Sequence, residues 1–315
     1  MRTHWTEQDV PDQTGRVAVL TGATGGIGFA VARGLALAGA TLVLGVRDLG
    51  LGAAAAEVIR AAAPLAQVSV VYLDLASLSA VRSFAARVRG EHDGLDLLVD
   101  CAAIMAVRHG VSADGFELQL ATNHLGHFAL TGLLIDRLLA RPGGRVVSVS
   151  SINHRTGRIR FDDLQSRRKY GAWSAYGQSK LANLLFAFEL DRRLRAAGAP
   201  VESVAAHPGY SRPGLQAGIG KPAVRRFFLA ANRVFAQAAG QGALPVLYAA
   251  TAAGVPGGAY VGPDGLFELR GGPGRAQAAG TARDQALAER LWSVSEELTG
   301  VTFPPFGGRL VPPSG

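Results

Sequence analysis

Runs of consecutive apolar residues alternate along the chain with stretches in which apolar positions recur at helical spacing. The first run, over 17–20, ends in Thr21-Gly22-Ala23-Thr24-Gly25-Gly26-Ile27-Gly28, and residues 29–38 then read as a helix. A second run, over 41–44, is followed by Arg47-Asp48 and an alanine-rich helix through Ala63, stopped by Pro64. The same rhythm predicts strands at 68–73, 95–99, 145–149, 201–205 and 259–261, with helices at 78–89, 113–139 and 176–196.

Strands that are apolar at every position, rather than at alternate ones, are covered on both faces. The pattern therefore predicts one α/β domain over 16–302: a doubly wound, Rossmann-type, mostly parallel sheet with helices on both faces. Residues 1–15 read as a polar arm and 303–315 as a tail. Residues 210–255 break the rhythm and are expected to form a substrate-covering insertion. Within it Val224, Phe227, Phe228, Ala231 and Phe235 recur at helical spacing, while Arg225, Arg226 and Arg233 lie off that stripe. A mobile, partly helical lid over 210–240 fits the stripe, as do a packed core helix and a membrane-surface helix.

At 48% hydrophobic and 18% charged residues the composition is globular. The net charge of +8 is almost all arginine and is scattered, which predicts a basic surface and no nucleic-acid partner. Arg167-Arg168-Lys169 reads as a solvated loop that could also steer an anionic cofactor inward. Cys101 is the single cysteine, so no internal disulfide forms, and a reducing, cytoplasmic setting is the expectation. Residues 1–16 carry Arg2, Glu7, Asp9 and Asp12 and read as neither leader nor anchor; no stretch reaches the ~18 apolar residues that cross a bilayer. His124 and His127 lack acidic or thiol partners at ligand spacing, so they read as packing or surface residues and no metal is expected.

Gly22, Gly26 and Gly28 fall between the first strand and the first helix, where bare backbone can turn tightly against a pyrophosphate and the helix N-terminus faces its charge. At the end of the second strand stands Arg47, whose guanidinium suits a 2′-phosphate, and the strand end itself carries no carboxylate. That favours NADP(H) over NAD(H). Tyr176 and Lys180 lie one helical turn apart, and the strand at 145–149 runs into Ser150 and Ser151. A phenol beside an ammonium, near a hydroxyl at a strand end, is a plausible acid for protonating a carbonyl oxygen, the ammonium being expected to lower the phenol's pKa.

Thr21-Gly22-x-x-x-Gly26-Ile27-Gly28 together with Tyr176-Gly177-Gln178-Ser179-Lys180 resembles the short-chain dehydrogenase/reductase superfamily, from about residue 16 to 302. The resemblance is greatest to its retinol-dehydrogenase-like branch, on Val46-Arg47-Asp48, Asn123-His124-Leu125-Gly126-His127-Phe128, Tyr176 to Asn183, and Leu291-Trp292-Ser293-Val294-Ser295-Glu296. The long interval from Ser151 to Tyr176 also fits that branch. The resemblance implies a cofactor site of Thr21, Gly22, Thr24, Gly25, Gly26, Ile27, Gly28, Arg47, Asp74, Leu75, Ala102, Tyr176, Lys180, Pro208 and Gly209, with Asp74-Leu75 at the adenine. It implies a catalytic set of Asn123, Ser151, Tyr176 and Lys180: Ser151 on the substrate oxygen, Lys180 also on the nicotinamide ribose, and Asn123 holding a water. Ser150 is the alternative to Ser151, and an amide bonded to backbone is compatible with Asn123.

The sequence departs from the superfamily where Asp100-Cys101-Ala102-Ala103 replaces Asn-Asn-Ala-Gly and where Pro213 replaces a threonine. Asp100 must then be hydrogen-bonded or protonated, and Ala103 adds a methyl near the cofactor. The expected function is carbonyl–alcohol interconversion on a bulky apolar small molecule, with NADP(H) and Tyr176 as general acid/base. The departures raise two alternatives: a cofactor-binding sensor or scaffold without turnover, and a dehydration or rearrangement on the same scaffold. The helices carrying Asn123 and Tyr176 are expected to pair across a two-fold axis in a homodimer.

Overall fold

The computed structural model describes residues 5–209 and 239–306. Eight strands form one sheet in the order β3-β2-β1-β4-β5-β6-β7-β8. They are β1 Val17–Thr21, β2 Thr41–Val46, β3 Val68–Tyr72, β4 Leu97–Asp100, β5 Gly144–Val149, β6 Val201–Ala206, β7 Tyr260–Pro263 and β8 Pro273–Arg275. All neighbours pair in parallel except β7 and β8. The order reverses between β1 and β4, which places a crevice at the carboxyl ends of those two strands.

Helices cover both faces. On one face α1 (Gly26–Leu37), α2 (Leu49–Ala62) and α7 (239–251) share a core with Leu20, Leu44, Val99 and Val147. On the other face α3 (Leu78–Glu91), α5 (Gly126–Leu139) and α6 (Ala172–Ala196) close over Val19, Leu98 and Val146. Side-chain caps fix two of these starts: Asp48 accepts from the Leu51 N–H at 2.9 Å and Ser77 from that of Ala80 at 3.4 Å.

Four expectations need correction. The helix expected over 113–139 begins only at α4, Leu118–Leu120, because Gly115 takes a positive φ of 85° and Asp114 is spent on the Leu78 N–H that opens α3, at 2.8 Å. Between α4 and α5 a π turn, Ala121–Leu125, carries Asn123. The helix expected at 176 begins at Ala172, since its exposed first turn, with Trp173 and Ser174, has no apolar rhythm. Residues 239–251, placed in a covering insertion, are core instead: Ala243, Val246 and Leu247 are buried, and a Cβ on Gly34 of α1 would come within 2.9 Å of Leu247. A parallel β6–β7 crossover needs such a helix. β8 was not foreseen, its Pro-Gly-Arg having no strand signature. The expected lid over 210–240, with its stripe from Val224 to Phe235, and Pro213 lie outside the described residues except at 239–240.

The arm packs onto the domain, with Trp5 edge-on to Tyr248 at 5.3 Å and Glu7 paired with Arg33 at 2.8 Å. At the other end α8, Gln285–Thr299, lies against α5 and α6. Trp292 stacks on Phe186 at 5.7 Å and meets Phe128 at 5.2 Å, and Phe303, expected in the tail, joins the cluster 4.4 Å from Trp292. α8 thus covers part of α5 and α6. Trp292→Ala is expected to cost about 3–5 kcal/mol in denaturant unfolding; a loss below about 1 kcal/mol would contradict this account of α8.

Candidate active site

The turn after β1 builds a cradle with no side chains in it. Gly22 (φ 77°) lies so close to the bend after β4 that a Cβ there would sit 2.7 Å from Ala102 Cα, and one on Gly28 would sit 2.3 Å from the Gly22 carbonyl oxygen. Gly26 (φ 57°) has nothing within 4 Å of the same construction, and α1 begins behind Gly25 with no side-chain cap. Its first N–H groups are therefore free for an anion. Thr24 and Ile27 are partly exposed along this turn, and Gly242 of α7 brings Ile27 and Pro208 together at 3.5 and 3.4 Å from its Cβ position. Gly209 (φ 73°) could not carry a side chain, because Leu269 O and Pro263 Cγ would lie at 2.6 and 2.7 Å. These residues fit a dinucleotide with its diphosphate on α1.

At the end of β2 Arg47 is exposed and bonds to nothing among the described residues, whereas Asp48 is occupied as the α2 cap. Asp74 accepts from the Ala76 N–H at 2.9 Å, so its carboxylate shapes its own turn. Three residues expected to bind the cofactor build the cradle instead of facing it. Thr21 is fully buried, Gly28 packs under Gly22, and Leu75 is buried with its carbonyl oxygen 2.4 Å from the Cβ position of Gly126.

The four residues expected to be catalytic come together above β4, β5 and β6. Ser150 is excluded as the substrate-facing hydroxyl, since it is buried and donates to the Lys180 carbonyl at 2.8 Å. Ser151 is partly exposed, and its hydroxyl is close enough to Tyr176 to act on the phenol. Lys180 is buried, its Nζ donating to the Val149 carbonyl at 2.9 Å and standing 5.9 Å from the Tyr176 ring centre. Burial pushes its ammonium down to about 8. Burial also raises the Tyr176 phenol, against the smaller opposing effect of the neighbouring Ser151 hydroxyl. The expectation that Lys180 lowers this phenol is therefore not met, because desolvation outweighs a charge already engaged elsewhere.

Asn123 binds both backbone groups of Ile104, accepting from its N–H at 2.8 Å and donating to its carbonyl at 2.9 Å. Its second N–H goes to Ser179 Oγ at 3.0 Å, and Ser179 donates on to the Tyr176 carbonyl at 2.8 Å. The side chain has no N–H left for the water that the resemblance implied. His124 and His127, read as packing or surface residues, are buried hydrogen-bonding groups that desolvation lowers to about 4 and about 3. The spacing of Asn123, His127 and Thr131, four residues apart on one helix face, was the available signal for the second histidine.

A family model described as short chain dehydrogenase matches residues 16–224. Retinol dehydrogenase 12 of Homo sapiens is 39% identical over 293 residues, which cover 92% of this chain and 88% of that protein. Polyprenol dehydrogenase of Mus musculus is 39% identical over 304 residues, with 92% and 86% covered. A crystal structure of a protein from Mycobacterium paratuberculosis superposes with a TM-score of 0.81 at 44% identity, over 96% of this chain and all of that one. Among the described residues no helix is long and apolar enough to cross a membrane.

The unusual bend at 100–103 is accommodated without loss of the cradle. Ala103 is exposed, and desolvation pushes the Cys101 thiol up to about 11. Asp100 is buried, accepts from Thr131 Oγ1 at 3.1 Å, and leaves Oδ1 without a partner. Burial pushes its carboxyl up to about 8, so it keeps its proton at neutral pH. An unfolded chain releases that proton near the ordinary aspartate value of about 3.9. Between those values the folded state binds more protons than the unfolded one, and stability falls as pH rises through the window. Asp100→Asn is expected to leave the thermal midpoint unchanged near pH 4 and to raise it at pH 8 by about 2 °C or more. Equal shifts at the two pH values would show that Asp100 is ionised in the fold.

Proposed function

This chain belongs to the short-chain dehydrogenase family, in its retinol-dehydrogenase-like branch, and is an oxidoreductase of alcohols and carbonyls; from that premise we propose that it uses NADP(H), with Tyr176 as general acid/base, on a bulky apolar small molecule. The observation that carries the chemistry is the closeness of the Ser151 hydroxyl to Tyr176 at the crevice, with Lys180 behind it.

In this reading the Gly22–Gly28 turn and the α1 N-terminus hold the diphosphate, and Arg47 takes the 2′-phosphate. Asp74 borders the adenine, and Ala102, Lys180, Pro208 and Gly209 border the nicotinamide half. A nicotinamide bound there would deliver hydride to, or take it from, the substrate carbon. Tyr176 gives its proton to the carbonyl oxygen in reduction and takes it back in oxidation, and its raised pKa keeps that proton in place at neutral pH. Ser151 donates a hydrogen bond to the same oxygen. The Lys180 charge, 5.9 Å from the ring centre, stabilises the phenolate that remains.

An apolar substrate is supported by Trp173, which is 59% exposed and edge-on to Tyr176, and by exposed Met105 in the bend after β4. The relatives named for retinol and polyprenol point the same way. NADP(H) is favoured because Arg47 is unpaired among the described residues while Asp48, the carboxylate beside it, is held by its own helix.

Tyr176→Phe is expected to lower turnover of an apolar aldehyde by about 10²-fold or more while NADPH still binds. Retention of more than a few per cent of the wild-type rate would overturn the assignment. Arg47→Ala is expected to weaken NADPH by about tenfold and NADH hardly at all, about 1.4 kcal/mol of difference in titrations of the two cofactors. Equal losses would remove the case for the 2′-phosphate.

A further inference from the structure

Asn123, His127 and Thr131 line one face of the π turn and α5, and that face meets the ends of β1 and β4. Asn123 grips Ile104 and Thr131 grips Asp100. His127, between them, reaches the cradle only through Thr21 and touches none of the catalytic hydroxyls. Its Nδ1 lies 3.0 Å from the Asn123 carbonyl and its Nε2 2.9 Å from Thr21 Oγ1. The carbonyl can only accept, so Nδ1 carries the proton and Nε2 is left as an acceptor. Thr21 Oγ1 itself accepts two backbone bonds, from Cys101 N–H at 2.9 Å and Ala102 N–H at 3.0 Å, and so its one proton goes to Nε2. The Thr21 hydroxyl thus has both lone pairs and its proton engaged.

We propose that His127 is a positioning residue for the cofactor: by taking the Thr21 proton it turns the threonine's lone pairs onto Cys101 and Ala102 and so fixes the bend after β4 against the glycine turn. This rests on the reading of that turn as a dinucleotide site. Two observations make the bend need it. Residues 100–103 have no side-chain amide to hold them, and Ala102 Cα lies only 2.7 Å from where a Gly22 Cβ would be, so a small shift of the bend closes the cradle. The ring must also stay neutral to accept, and its burial holds it so.

The test compares His127→Phe, which keeps the ring volume without either bond, with His127→Gln, which restores an acceptor for Thr21. Thr21→Val and the Thr21→Val/His127→Phe double variant complete the cycle. NADPH affinity is read from nicotinamide fluorescence and stability from the thermal midpoint. His127→Phe is expected to weaken NADPH about tenfold, Gln to stay within about threefold of wild type, and the double variant to bind no worse than the weaker single. Losses in affinity that merely follow the thermal midpoint through all variants, additive effects in the double variant, or a folded His127→Phe with wild-type affinity would each overturn the proposal. Should the Phe variant not fold, Gln and Thr21→Val alone decide it: equal NADPH losses in the two would overturn it, and loss confined to Val would support it. Wild-type chain that binds neither NADPH nor NADH would sink the proposed function itself, and this inference with it.

Discussion

The ends of β1 and β4 impose the constraint on which the site depends. There the strand order reverses and backbone groups run out of ladder partners in a bend that is only half-buried. The protein satisfies those groups with side chains from two other elements. Thr21 receives the N–H groups of residues 101 and 102, and Asn123 receives both backbone groups of residue 104. A bend held at both ends can lie against a turn of bare glycines without collapsing into it. The same device recurs at β5, where the Val149 carbonyl takes bonds from both Lys180 and Asn183, which ties α6 to the strand that leads into Ser151.

Burial also decides the charges. Nearby charge and desolvation act in opposite directions on a phenol beside an ammonium, and here desolvation wins on both: the phenol rises and the ammonium falls to about 8. The outcome is a proton kept on Tyr176 and a charge on Lys180 at neutral pH, which is the ground state that protonation of a carbonyl oxygen requires. Histidines in the same layer are driven neutral, which lets each act as donor on one nitrogen and acceptor on the other.

The C-terminal helix connects this layer to the outside of the fold. Trp292 completes an aromatic cluster with Phe128, Phe186 and Phe303, and Ser295 meets His124 of the π turn at 2.9 Å. Burying a large aromatic side chain contributes several kcal/mol, so α8 is attached by packing rather than by its few polar contacts. Its hydrogen bond to the π turn gives that packing a route to Asn123, one residue away.

The sequence carried the parallel strands and the family, because continuous apolar runs, a glycine turn before a helix, and Tyr176 four residues from Lys180 are local patterns with local causes. It also identified Arg47 and Ser151 as candidates from their places at strand ends. What it left open needed distances between remote segments. Ser150 and Ser151 are equivalent hydroxyls until one is seen donating to the Lys180 carbonyl. Thr21 reads as a cofactor contact until residues 101, 102 and 127 are seen to consume its hydroxyl. Residues 239–251 read as part of a cover until their apolar side is found against α1. In each case the deciding quantity was which partner was nearest in space and how much water was excluded with it, and neither is written in the spacing along the chain.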